Sequence, residues 1–317
     1  MITTVTLNAS IDKAYYLEGE IKPGEVMRVV KCRNTAGGKG INVAKIIHLC
    51  KEEVFALGFS GGFSGRYLKY LLEQEEIPYK FVEVEGETRS CINVIDKEFG
   101  STEFLEPGFT VTNENEIELL REFGDAVQKS TIITISGSTP GGVSEDIYQK
   151  MIHIAKKYDR KVILDTSGKL LKHALSEKPT MVKPNKDELE MLFKRELATN
   201  EQVIECAREI YDMGIPYVVV SLGAEGAVLI CREGTFRGVP PKINAVNTVG
   251  CGDSMVGAFA VAMLRGYSPE NALAYAAAVA TANALSENTG DFEYGNFERI
   301  MEQVWIEKFD KRGEVCH

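Results

Sequence analysis

Short β-branched apolar runs alternate with segments of helical period along most of this 317-residue chain, and that alternation limits the possible folds more than any other feature. ITTVTL (residues 2–7), EVFALGF (53–59), TIITIS (131–136), KVILD (161–165), TMVKP (180–184) and YVVVSL (217–222) read as strands. Between most of them lie stretches such as 143–158 and 199–213, which read as amphipathic helices. Strands separated by helices are joined by crossovers rather than hairpins, which imposes a largely parallel sheet buried on both sides. The expected fold is therefore α/β, a mostly parallel central sheet covered by helices on both faces.

Two stretches interrupt the pattern. Residues 13–34 and 88–106 show period-2 patterning with turn residues and no helix between strands. They read either as one small antiparallel β sheet projecting as a lid or as two hairpins at a sheet edge. A further meander starts at Tyr217, with turns at GAEG and REGT. The alanine-rich stretch 269–285 suits close helix packing. With no repeat, low-complexity segment or long linker, residues 1–317 are expected to form one α/β domain carrying the lid.

The charge balance excludes some partners. Thirty-six basic against 46 acidic residues leave −10, so no long-range positive field exists to attract nucleic acid or an anionic membrane. Any bound anion must be held by a locally focused site. Seven cysteines (Cys32, Cys50, Cys91, Cys206, Cys231, Cys251, Cys316) form no C-x-x-C pair, which suits reduced thiols in a cytosol. His48, His153, His173 and His317 show no metal-ligand spacing. No basic, then apolar leader opens the chain and no run of eighteen apolar residues occurs, so a soluble, cytoplasmic protein is expected.

The strongest chemical signal is Asn247-Thr248-Val249-Gly250-Cys251-Gly252-Asp253-Ser254, followed by an apolar helical stripe at Val256, Phe259, Ala260, Met263 and Leu264. Glycines before a helix start let backbone N–H groups converge, and the helix terminus adds partial positive charge, so the turn can hold a phosphoryl group. Asp253 beside such a hole can accept a proton from a hydroxyl, although taken alone it reads first as a helix cap.

Residues 36–44, AGGKGINVA, place a second glycine turn before a helix, with Lys39 and Asn42 supplying a charge and an amide. The spacing fits neither the Walker loop nor G-x-G-x-x-G. Asp12 follows the first strand, where α/β sheets place ligand contacts, and is also a common turn former. Arg89, in the second lid segment, could bind a substrate phosphate bidentately. Lys183 precedes Asn185 and Glu188, three apart on one helical face. That pair could orient magnesium through water or simply form a capping box.

Together these segments resemble the ribokinase-like, or phosphofructokinase B, family of carbohydrate kinases. Its two signatures are similar to residues 37–44 and 247–259, and the resemblance runs from TLNASID to the helix containing Asn283. It implies Asp253 as catalytic base, and the amides of Gly250, Cys251 and Gly252 as the anion hole. It implies ATP and Mg2+ as cofactors, the metal organised through water by Asn185 and Glu188, with Lys183 near the phosphates. Ser221, Gly223 and Gly226 match the nucleotide strand and turn, and Asn283 a position close to the adenine. Asp12, Gly38, Lys39, Asn42, Arg89 and Ser136 match the sugar-phosphate side. Family members commonly dimerise through the lid, so a homodimer is expected, and K+ is left open as a further cofactor.

Two positions depart from the pattern: Cys251 stands where alanine is commoner, adding a thiol open to oxidation if the site is open, and Ala9 where many relatives have proline. TLNASID, GGKGIN and TRSCINVID look like the 1-phosphofructokinase and tagatose-6-phosphate kinase branch, and STEFLEPG looks closer to the tagatose type. Glu103 takes a place that looks basic in a relative using fructose 6-phosphate. The resemblance therefore implies a kinase of tagatose 6-phosphate or fructose 1-phosphate. A kinase of an unphosphorylated sugar or nucleoside, and a catalytically silent sugar- or nucleotide-binding regulator, are the alternatives.

Overall fold

The computed structural model describes residues 1–96 and 100–309; residues 97–99 of the second lid segment, Cys316 and His317 lie outside the described residues. In chain order the strands are β1 (Ile2–Thr6), β2 (Ser10–Tyr16), β3 (Lys31–Gly37), β4 (Val54–Gly61), β5 (Tyr79–Val84), β6 (Arg89–Asp96), β7 (Gly100–Leu105), β8 (Ile132–Ser136), β9 (Lys161–Asp165), β10 (Met181–Val182), β11 (Tyr217–Ser221), β12 (Ala227–Cys231), β13 (Gly234–Val239) and β14 (Trp305–Phe309). The helices are α1 (Lys39–Leu49), α2 (Gly62–Gln74), α3 (Asn113–Lys129), α4 (Ile147–Lys157), α5 (Gly168–Leu175), α6 (Lys186–Phe193), α7 (Asn200–Asp212), α8 (Cys251–Leu264), α9 (Pro269–Asn283) and α10 (Tyr294–Met301).

Among the described residues, ten strands form one sheet in the order β14-β13-β12-β11-β10-β9-β8-β1-β4-β5. Pairing is parallel from β11 through to β5 and antiparallel across β11-β12-β13-β14, so the predicted parallel sheet and the meander both form. Alternate side chains face opposite core layers. Ile132 packs with α1, α8 and α9 on one side; Ile133 and Ile135 pack with α3 and α4 on the other. Burying both faces is why these strands are nearly continuous apolar runs.

α8 and α9 are almost wholly internal, which the alanines of α9 permit by letting neighbouring backbones approach. At Gly257 of α8 a β-carbon would lie 2.8 Å from Ile46 Cγ2 of α1, so glycine is required for those helices to touch.

The small sheet has the order β3-β2-β6-β7. Each hairpin is antiparallel, β2 with β3 and β6 with β7, but the central join of β2 to β6 is parallel. The two segments do pair with one another in one small sheet, as expected; the correction is that their central join is parallel rather than antiparallel. Both β2 and β6 enter the small sheet directly after a strand of the large one, β1 and β5, so both run outward in the same sense. The first hairpin also starts earlier than expected, at Ser10, and residues 17–30 between its strands carry no strand of their own.

Candidate active site

The order of the large sheet reverses between β1 and β8: β4 and β5 follow β1 outward on one side, β8 and β9 on the other. Ligands of open α/β sheets bind beyond the carboxyl ends of strands at such a reversal. A cleft of about 630 Å³ lies there, floored by Thr6, Asn8, Ser136, Asp165 and Ser221 and walled by both hairpins of the small sheet.

One wall is the start of α8. Its cap is Gly250, held at φ 80°, and a β-carbon there would fall 2.5 Å from Thr289 Cγ2. The cap is thus this glycine, and Asp253 is the third residue of the helix instead of its cap. The amides of Gly250, Gly252 and Asp253 have no acceptor among the described residues, whereas that of Cys251 donates to the Thr248 carbonyl at 3.3 Å. Unpaired amides at a helix start can accept an anion, and the free donors here are those of Gly250, Gly252 and Asp253 rather than Cys251. Lys183 Nζ lies beside the same turn, 3.4 Å from where a Gly252 β-carbon would sit.

Asp253 is buried and lines the cleft. Its Oδ2 accepts a 2.9 Å hydrogen bond from Asn42 Nδ2. Burial pushes its carboxyl up to about 6; Lys39, Asn42 and Lys183 pull the other way and Asp165 adds to the rise. The glycine turn before α1 therefore meets the start of α8 across one cleft, carrying Lys39 and Asn42 to Asp253. Gly38 caps α1 at φ 103°.

Asp165, which sequence reasoning missed, organises the cations. Its carboxylate, 1% exposed, lies 3.1 Å from Lys183 Nζ and 3.7 Å from Lys39 Nζ, and it is the main cause holding the Lys39 ammonium above its ordinary range. Its place at the carboxyl end of a parallel strand was the available signal.

Asp12 faces the cleft from β2, accepting from Ser10 Oγ at 2.6 Å; burial raises its carboxyl above the usual range. Gly37 on the neighbouring strand makes room for it, since a β-carbon there would lie 2.1 Å from Asp12 Cγ. Arg89 lines the cleft with its guanidinium already donating to the carbonyls of Asn8 and Glu106. Asn185 and Glu188 form a reciprocal capping box on α6 and also line the cleft. Gly38, Ser136, Lys183, Ser221 and Gly223 complete the expected residues that reach it.

Three expected site residues do not line the cleft. Asn283 is fully buried: its Nδ2 donates to the Val249 carbonyl, and its Oδ1 accepts from the amides of Gly290 and Asp291. With its amide committed, it braces the turn from behind rather than standing at a nucleotide base. Gly226 closes the β11–β12 turn at φ 89°, where a β-carbon would lie 1.9 Å from the Gly238 carbonyl oxygen. The Cys251 thiol turns to Asn283 Nδ2 at 3.5 Å, and burial pushes its pKa up, away from the reactive thiolate.

A family model described as pfkB family carbohydrate kinase matches residues 5–293. The chain belongs to the pfkB family of carbohydrate kinases. It is a sugar-phosphate kinase, a phosphotransferase with an alcohol group as acceptor. It is 34% identical to the tagatose-6-phosphate kinase of Staphylococcus epidermidis over 310 residues, covering 96% of this chain and 99% of the relative. The crystal structure of phosphofructokinase-2 from Escherichia coli in complex with potassium is 32% identical with a TM-score of 0.90, over 95% of this chain and 98% of that one. A putative phosphofructokinase from Staphylococcus aureus is 34% identical with a TM-score of 0.83, over 98% and 99%. Among the described residues no helix is long and apolar enough to cross a membrane.

Proposed function

We propose that this kinase transfers the γ-phosphoryl of ATP to the free primary hydroxyl of a ketohexose phosphate, giving the bisphosphate and ADP, with tagatose 6-phosphate the preferred acceptor and fructose 1-phosphate next. The observation that carries the reading is the meeting of Asp253 with Asn42 and Lys39 in one cleft, beside the unpaired amides of Gly250 and Gly252.

The proton of the sugar hydroxyl passes to the Asp253 carboxylate as the hydroxyl oxygen forms its bond to the γ-phosphorus; the bond to the bridging oxygen breaks, and that oxygen leaves on ADP. The turn at Gly250 and Gly252, with Lys183 beside it, stabilises charge on the moving phosphoryl group. Asp12, Asn42 and Ser136 hold the sugar, and Lys39 and Arg89 face its phosphate. Arg89 reaches a phosphate only through the part of its guanidinium not engaged by carbonyls. Ser221 and Gly223 take the nucleotide side.

Among the described residues no three His, Cys, Asp or Glu side chains gather as a metal cage. That suits magnesium, which keeps several waters and binds through substrate phosphates, with Asn185 and Glu188 reaching it through water. The small sheet is read as a lid that excludes water, and as the contact of a homodimer. Val26, Val30, Phe104 and Leu105 are exposed apolar side chains of the kind such a contact would cover. A monomer by light scattering at micromolar concentration would remove the dimer. Unpaired thiols at Cys32, Cys50, Cys91, Cys206, Cys231 and Cys251 support a reducing, cytoplasmic setting.

Steady-state kinetics on tagatose 6-phosphate, fructose 1-phosphate and fructose 6-phosphate side by side tests the substrate. A higher kcat/KM on fructose 6-phosphate than on either of the others overturns the assignment. Running the same assay with and without potassium reads whether a monovalent cation belongs to the site.

A further inference from the structure

One carboxylate ties the small sheet to the body of the protein. Glu287 Oε2 accepts from Lys31 Nζ at 2.9 Å and from Arg33 NH2 at 3.2 Å. Lys31 and Arg33 stand two apart on β3 and therefore project from the same face. Arg33 and Glu287 both line the cleft. In the small sheet Arg33 shares a cross-strand row with Ala14, Asn93 and Glu103, the next row on that face beyond the one that carries Asp12.

The loop bearing Glu287 is fixed to the catalytic turn. Asn247 Nδ2 donates to the Glu287 carbonyl at 3.4 Å and to Thr289 Oγ1 at 3.5 Å. Asn283 Oδ1 holds the amides of Gly290 and Asp291, and Gly290 packs against Asn42, where a β-carbon would come within 3.1 Å. One end of the ion-pair cluster thus rests on the anion hole and the other on a strand of the small sheet. The side chains of Lys31 and Glu287 are about half exposed, so water can replace the contact when it opens. Two cations on one carboxylate leave one positive charge unmatched within the cluster itself, with Glu103 on the same row of the small sheet.

We propose that Glu287 is a positioning residue: it pins β3 to the loop behind the anion hole, so that the small sheet closes over an anionic sugar and presents the Arg33 guanidinium to it. The inference rests on the reading of the small sheet as a lid.

Glu287→Gln keeps the shape and removes the charge. It should raise KM for the sugar phosphate about three- to tenfold, the size expected of two partly exposed ion pairs. kcat should stay within about twofold and KM for ATP unchanged, because the chemical groups are untouched. Glu287→Asp, which keeps the charge, should recover part of the loss. Adding Glu287→Gln to Lys31→Gln/Arg33→Gln should cost nothing further. Amide hydrogen exchange in β2 and β3 should slow when sugar phosphate binds the wild-type kinase, and slow less in Glu287→Gln. An unchanged sugar KM in Glu287→Gln, or strictly additive effects, overturns the latch. Exchange in the wild type that ignores the sugar phosphate instead overturns the lid reading itself, so the two failures are told apart.

Discussion

Asn42 and Asp253 lie 211 positions apart in sequence and share a buried 2.9 Å hydrogen bond that joins the first turns of α1 and α8. The amide donates to the carboxylate, so it favours the ionised form that a base requires. The same bond fixes the orientation of the Asp253 carboxylate, which makes Asn42 a partner of the base as well as a member of the proposed sugar site.

Asp253→Asn removes the proton acceptor and keeps the volume. Turnover should fall by about 10² to 10⁴-fold, the usual contribution of a general base, while nucleotide affinity changes little. Stopped or steady-state assays with a nucleotide titration read both. Near-normal turnover in this variant would remove the base assignment.

With its carboxyl raised to about 6, Asp253 should give an acid limb: kcat/KM falling about tenfold per pH unit below that point and flat above it. A sugar phosphate loses its own second proton near pH 6, as phosphate monoesters do, and would produce a similar limb. Asn42→Ala separates the two, because losing the hydrogen bond should move an enzyme-borne inflection upward and leave a substrate-borne one in place. An inflection that does not move would assign the limb to the substrate.

The raised carboxyl also predicts that the base is held at a cost to stability. The fold binds the Asp253 proton more tightly than the unfolded chain, whose ordinary value is 3.8. Stability therefore falls as pH rises from about 3.8, where the unfolded chain ionises, to about 6, where the folded side chain does, and the penalty is present in full at neutral pH. A neutral carboxamide at this position resembles the protonated acid, so Asp253→Asn should be more stable than wild type by roughly 2–3 kcal/mol at pH 7.5, each tenfold change in proton affinity being worth about 1.4 kcal/mol. Thermal melts at pH 7.5 and pH 4 read it, the difference between variants shrinking at the lower pH; an Asp253→Asn protein that melts lower at both would contradict the burial argument.

Asp165→Asn should do the opposite. It leaves Lys183, 4% exposed, without its carboxylate at 3.1 Å, and removes the group that holds Lys39. Breaking a buried pair by deleting one partner costs roughly 3–5 kcal/mol. A fall in melting temperature together with a lower kcat/KM is expected; unchanged melting would show that water already screens the pair.

What the sequence made legible is what local chemistry specifies. TIITIS and KVILD became β8 and β9 because β-branched runs buried on both faces have few other options, and GGKGIN and NTVGCGDS announced helix starts through their glycines. What stayed hidden depends on distant partners. The parallel join of β2 to β6 follows from where both strands leave the large sheet, and nothing in either segment encodes it. Glu287 looks like an ordinary surface acid until Lys31, 256 positions earlier, is placed against it. Asn283 carried a nucleotide-side expectation from resemblance alone, and the amides of Gly290 and Asp291 claimed its side chain instead.

Gly250→Ala tests whether the anion hole is the main-chain turn itself. At φ 80° an alanine is strained, and its β-carbon would fall 2.5 Å from Thr289 Cγ2, so the turn must move or Thr289 must yield. Either movement displaces the Gly250 and Gly252 amides, and losing one aligned donor to developing charge costs about 10²- to 10³-fold in kcat. Because Asp253 and Lys39 keep their side chains, the acid limb should survive while its plateau drops. Gly250→Ala combined with Thr289→Ser removes the methyl that obstructs the β-carbon, leaving only the strain, and should recover part of the lost turnover. If Gly250→Ala alone keeps wild-type kcat, the amides are not what stabilises the moving phosphoryl group, and Lys183 becomes the group to test next.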